Sequence, residues 1–241
     1  MNQASPDKKM NYVVYWLGLI DYQNAYHLQR KLFCNRRDGR IPDTLLLLEH
    51  LPTITVGKSG RLENILASRE QLVQRGISLV FIDRGGDVTY HGPGQLVGYP
   101  IFDLKGWGRD AHRYIRNLEE AIIRTLNDFS IKSGRDRSHA GVWVKDKEIA
   151  AIGLSLSKWI TMHGFALNVN TDLAQFSLIN PCGFTNRRAT SIAHLLGQEI
   201  PMAKVKERLL VHFAAVFHTD IAIGTDNPIK GHYERKTPTV V

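Results

Sequence analysis

Cys182 stands in Asn180-Pro181-Cys182-Gly183, outside any periodic segment, with a stiff residue before it and a small one after it. That setting suits an accessible nucleophile. The thiolate is the reactive form, and an ordinary thiol ionises near about pH 8.5, so a nearby cation or base is required. Two histidines offer themselves, His91 in Tyr90-His91-Gly92 and His163 in Met162-His163-Gly164. A cysteine served by a histidine is an arrangement for acyl transfer; each histidine read alone is more often a satisfied packing residue. His91 lies within the most glycine-dense stretch of the chain, Arg84-Gly85-Gly86-Asp87-Val88-Thr89-Tyr90-His91-Gly92-Pro93-Gly94-Gln95, with four glycines in twelve residues. Glycine is used where backbone turns with positive φ or closely approaches something. The stretch reads as a loop held against a ligand, the competing reading being a long turn with a structural histidine. Ala150-Ala151-Ile152-Gly153 is small and apolar, which leaves room for a chain-like ligand or serves tight sheet packing. No two His or Cys residues have zinc-site spacing. The Gly-x-x-x-x-Gly-Lys and Gly-x-Gly-x-x-Gly phosphate loops are absent.

Elements must position these residues. Residues 12–17, 44–49, 53–56, 77–82 and 96–102 read as strands. Asp21 caps a helix running to Arg37, on which Cys34 is expected to be buried packing. Ser68 and Gln71 form a capping box for a second helix. Asp110 opens the clearest helix, with Tyr114, Ile115, Leu118, Ala121, Ile122, Leu126 and Phe129 on one face. Residues 141–144 and 149–156 flank a hairpin turn, 160–169 is a strand, and 172–176 is one helical turn. Residues 190–196 and 201–217 read as closing helices. The expectation is one α/β (α+β) domain over residues 11–223, a mixed sheet flanked by helices, between mobile tails at 1–10 and 224–241.

The 241 residues are 43% hydrophobic and 22% charged, ordinary for a soluble globular protein. No apolar run approaches the roughly 20 residues that span a bilayer. Two cysteines and no visible secretory signal fit the cytoplasm. The net charge of +8 favours acidic partners. Arg36-Arg37 and Arg187-Arg188 are only pairs, and no nucleic-acid motif is present.

The loop from Arg84 to Gln95, followed by His163-Gly164-Phe165-Ala166-Leu167-Asn168 and Asn180-Pro181-Cys182-Gly183, closely resembles the lipoyl(octanoyl) transferase family. Leu48-Glu49-His50, Pro52, Ile54-Thr55 and Gly57 also fit that family's pattern. The resemblance implies the fold of biotin- and lipoate-protein ligases. It implies that octanoyl passes from octanoyl-acyl carrier protein, through a thioester on Cys182, to a lysine. The acceptors would be lipoyl domains of 2-oxoacid dehydrogenases and the glycine cleavage H protein, in protein lipoylation. No cofactor, metal, nucleic acid or membrane is implied. By position, Arg84, Gly85, Gly86, Asp87, Val88, Thr89, Tyr90 and His91 resemble substrate-binding residues. So do Ala151, Ile152 and Gly153, and likewise Gly164, Phe165 and Ala166.

One position departs. The family has a lysine, paired with the cysteine, immediately before the strand that here begins Ile149-Ala150-Ala151. Here it is Glu148, with Lys147 one residue earlier. A lysine beside Cys182 favours the thiolate and a glutamate disfavours it. On a regular strand Lys147 faces away from Glu148, so substitution by Lys147 needs a bulge or a register change. Three readings stay open. Lys147 serves through a distorted turn, Lys158 or His163 serves instead, or activity is reduced. The alternative functions are an ATP-dependent lipoate- or biotin-type ligase and an acyl-binding protein.

Overall fold

The computed structural model describes residues 10–137, 139–180 and 188–224. Cys182 and both expected tails, apart from Met10 and Gly224 at their inner ends, therefore lie outside the described residues. In chain order the strands and helices are β1 (Met10–Ile20), α1 (Tyr22–Arg37), β2 (Asp43–His50), β3 (Thr53–Val56), α2 (Arg69–Gln74) and β4 (Ser78–Phe81). Then come β5 (Val88–His91), β6 (Gln95–Ile101), α3 (Ala111–Asp128), β7 (Gly134–Arg135), β8 (Gly141–Val144) and β9 (Lys147–Ser157). The chain continues through β10 (Ile160–Asn168), β11 (Arg188–Ala189), α4 (Ile192–Leu196), α5 (Met202–Phe217) and β12 (Thr219–Ile223).

Local chemistry starts the helices. The Asp21 carboxylate accepts from Asn24 N at 3.1 Å. Ser68 Oγ accepts from Gln71 N while Gln71 Oε1 accepts from Ser68 N, the reciprocal capping box. The Asp110 carboxylate accepts from Arg113 N at 2.9 Å.

The large sheet runs β12-β1-β2-β6-β10-β9-β8-β7, with β11 paired to β9. It is parallel at β12/β1, β1/β2 and β11/β9, and antiparallel elsewhere. A separate three-stranded sheet, β4-β3-β5, sits beside it. The fold is mixed α/β as expected, but with two sheets rather than one. Leu45, Leu46, Leu47 and Leu48 of β2 are all buried, because helices cover both faces of the large sheet. Leu45 and Leu47 join the α3/α5 side, and Leu46 and Leu48 join the α1 side.

Three departures from the expected elements have physical causes. The glycine-rich stretch holds a strand, β5, whose Val88 and Tyr90 pack inward while the strand pairs antiparallel with β3. Four residues give too short an alternation to stand out between glycines. Cys34 is exposed. The buried stripe of α1 is Tyr22, Ala25, Leu28, Gln29 and Leu32, and a residue two beyond Leu32 points away from it. Third, β9 carries a bulge. Glu148 pairs with Trp143 and Ala150 pairs with Val142, so Ile149 is the extra residue. Ile149 and Ala150 are consecutive and both buried on the α3/α5 side.

Candidate functional site

A pocket opens where the loop before β5 crosses the middle of β9 and β10. Its lining holds Arg84, Gly85, Gly86, Asp87, Val88, Thr89 and His91 from the loop and β5. Glu148, Ala151, Ile152 and Gly153 come from β9, and His163, Gly164, Phe165 and Ala166 from β10. Of the fourteen expected substrate-binding residues, Tyr90 alone is missing from this wall. It is buried on the other side of β5, edge-on to Phe176 at 5.7 Å. Strand alternation separates it from His91. Tyr22, Tyr99 and Ala140 also line the pocket and were not singled out in the sequence. Tyr22 sits on the α1 stripe and Tyr99 in a strand, so both read as core.

The loop is tied down from several directions. Gly85 N donates to Leu154 O of β9 at 2.8 Å. A Cβ on Gly153 would lie 3.0 Å from Gly85 O, so glycine there lets loop and strand meet. Gly57, Lys58 and Ser59 donate backbone N–H groups to Asp87, Arg84 and Gly86. Arg84 is buried, and its guanidinium donates to Thr55 O at 3.0 Å, Asp87 O at 2.8 Å and Gly85 O at 3.0 Å. It holds the shape of the loop. Asp87 accepts from Arg61 N at 3.0 Å and Asn64 Nδ2 at 2.6 Å. The motif's two charges therefore build the wall before any ligand arrives.

The bulge decides which charge reaches the pocket. Past Ile149, the alternation of β9 shifts by one, so Glu148 lines the pocket with Ala151 and Gly153. Lys147 is outside the lining, opposite Val144 and beside Arg188. From the sequence, a bulge is expected to bring in Lys147. The bulge is present and does the reverse: a regular strand continuing the phase of Ala151 and Gly153 would have turned Lys147 to the pocket, and the extra residue turns Glu148 there instead.

His163 reaches the pocket by a different device. Its φ is 58°, the left-handed region that side chains rarely adopt. Its backbone N donates to Gln29 Oε1 of α1 at 2.9 Å, and its Nε2 lies 2.9 Å from Asp83 Oδ1. Burial pushes the His163 pKa down. The bond from His163 holds the Asp83 carboxyl well below the usual range. Asp83 also accepts from Tyr26 Oη at 3.1 Å. Among the described residues no group of three or more His, Cys, Asp or Glu could hold a metal ion.

The lipoyl protein ligase A/B catalytic-domain model matches this chain over residues 21–214. The chain belongs to that family. An octanoyltransferase of Solibacter usitatus is 51% identical over 208 residues, 86% of this chain and 94% of the relative. In three dimensions, lipoate-protein ligase A bound with ATP superposes with a TM-score of 0.74 at 17% identity, covering 90% of each chain. The biotin protein ligase of Aquifex aeolicus without ligand reaches 0.50 at 13% identity, covering 86% of this chain and 69% of that one. At those identities the structural likenesses show the fold of the lipoyl protein ligase A/B catalytic-domain family. The functional name rests on the curated relative. Among the described residues no helix is long and apolar enough to cross a membrane.

Proposed function

We propose that the protein is an octanoyltransferase of protein lipoylation, passing octanoyl from acyl carrier protein through Cys182 to a lysine of lipoyl domains. The observation that carries this reading is 51% identity to an octanoyltransferase across nearly the whole of that relative. The pocket supports it: glycine and alanine leave a slot for an acyl chain, and few charges face it. The acceptors on this reading are the lipoyl domains of 2-oxoacid dehydrogenases and the glycine cleavage H protein. The setting is the cytoplasm. The excess of basic residues, net +8, suits acidic protein partners.

The test is incubation with octanoyl-acyl carrier protein, read by mass spectrometry. One octanoyl group appears on the peptide bearing Cys182, is absent in Cys182→Ala, and moves to an added lipoyl domain. Activity with free octanoate and ATP alone would replace this reading with a ligase. An adduct that never leaves would replace it with an acyl-binding protein.

A further inference from the structure

Three histidines meet beside the pocket, and their hydrogen bonds set them apart. His50 uses both ring nitrogens, Nδ1 against Ile20 O at 3.1 Å and Nε2 against Tyr99 Oη at 2.7 Å. A carbonyl only accepts, so Nδ1 carries the hydrogen and Nε2 takes the Tyr99 hydroxyl. His163 binds Asp83 through Nε2, and its Nδ1 is enclosed in protein. His91 differs from both. Its Nδ1 lies 2.8 Å from Gln95 Oε1. The Gln95 amide cannot flip, because its Nε2 donates to Tyr90 O at 3.2 Å and to Asn168 Oδ1 at 2.9 Å. The network therefore assigns the hydrogen of His91 to Nδ1. Among the described residues its Nε2 has no hydrogen-bond partner, yet it is not sealed in, and the residue lines the pocket. A bare lone pair thus borders the site in a fixed orientation.

An acyl thioester presents a carbonyl oxygen, which wants donors and gains nothing from a lone pair. The hydrogens that the reaction brings are those of the attacking group. We propose that His91 is the proton carrier of the pocket, its Nε2 taking a proton from the incoming lysine amine as the acyl group leaves Cys182. This rests on the acyl-transfer reading above. Starting from the neutral amine, the N–C bond forms and the C–S bond of the thioester breaks. Sulfur departs with the bonding pair. Nε2 removes one proton from nitrogen and delivers it to sulfur, so the imidazole ends as it began.

The surroundings suit a carrier. Burial first, then His50, push the His91 pKa well below the ordinary value, with Arg84 and His163 adding to the effect. The lone pair is therefore present at neutral pH, and an imidazolium formed in passing gives its proton up readily. Tyr22 of α1 and Glu148 of β9 face the same space. Gln95 and Asn168 are positioning residues, acting through the ring.

The experiment is single-turnover transfer from octanoyl-loaded protein to a lipoyl domain, followed by mass spectrometry at saturating and limiting acceptor. His91→Gln slows transfer about 100-fold, the low end for general acid–base groups, with the half-saturating acceptor concentration unchanged. His91→Ala is slowed equally and is partly restored by added imidazole, which a purely structural role would not allow. Gln95→Leu leaves the ring but frees its tautomer, and slows transfer about tenfold, while Gln95→Glu, which keeps the acceptor, transfers faster than Gln95→Leu. Wild-type transfer by His91→Gln, or His91→Ala unmoved by imidazole, overturns the inference. A wild-type protein that takes no octanoyl on Cys182 overturns the acyl-transfer reading and the inference together.

Discussion

The two faces of the large sheet are built on different terms. Against α3 and α5 the face is hydrocarbon and aromatic, with Tyr12, Phe102, Phe213 and Phe217 in one stack whose closest ring centroids are 4.3 and 4.4 Å apart. Toward α1 and the small sheet, the polar side chains of His50, His91, His163, Arg84 and Gln29 are buried, the histidines beside Tyr22, Tyr26 and Tyr99. Burying polar groups is costly unless they are bonded, and nearly all of these have partners fixed by backbone carbonyls or by distant side chains. One face supplies stability and the other holds chemistry in place.

Substitutions should separate the two. Phe213→Ala, in the aromatic stack, costs about 3–5 kcal/mol in denaturant unfolding and leaves the transfer rate per folded molecule unchanged. A changed rate would join the faces. On the polar face, burial pushes the His50 pKa down to about 4 from the ordinary 6.5. A histidine held neutral when folded contributes fully above about pH 6.5, and that contribution is lost as pH falls toward 4, about 3 kcal/mol in all. His91 and His163 shift in the same direction. Urea midpoints from pH 7 to pH 4 should therefore fall, and His50→Gln should flatten the decline; an equal slope in the variant assigns it elsewhere.

Glu148→Lys places a cation on the pocket wall, at the position where the family resemblance leads one to expect it. Alkylation of Cys182 at pH 7 should speed up about tenfold, since an opposite charge lowers a pKa by about 1–3 units. Because Cys34 is exposed, the rate must be read on the Cys182 peptide or in a Cys34→Ser background. An unchanged rate means that another group assists the thiol. The smallest effect belongs to neither face: Phe81 is 64% exposed on β4, and Phe81→Ser should shift stability by no more than about 0.5 kcal/mol.

What could be read in the sequence was what is decided locally. The caps at Asp21, Ser68 and Asp110 are made within three residues, and α3 shows its stripe in its own periodicity. The motif residues that form the pocket were legible as a set. What lay hidden depends on partners far along the chain. β5 is a strand because β3 pairs with it. β12 has only five residues and is held by β1, more than 200 positions away. The tautomer of His91 is fixed through Gln95 by Asn168, 73 residues on. Cys34 was misjudged because a place on a helix does not say which side of it is buried.

The bulge at Ile149 makes the polarity of the pocket wall a question of phase as much as of residue identity. Moved outward into the Lys145-Asp146 turn, the same extra residue would leave β9 regular through Ile149. Lys147 would then swing in and Glu148 out, with no residue replaced. A shift of one step along a strand would exchange an anion for a cation beside the acyl slot, so variation in this hairpin's turn can retune the site as effectively as substitution within it.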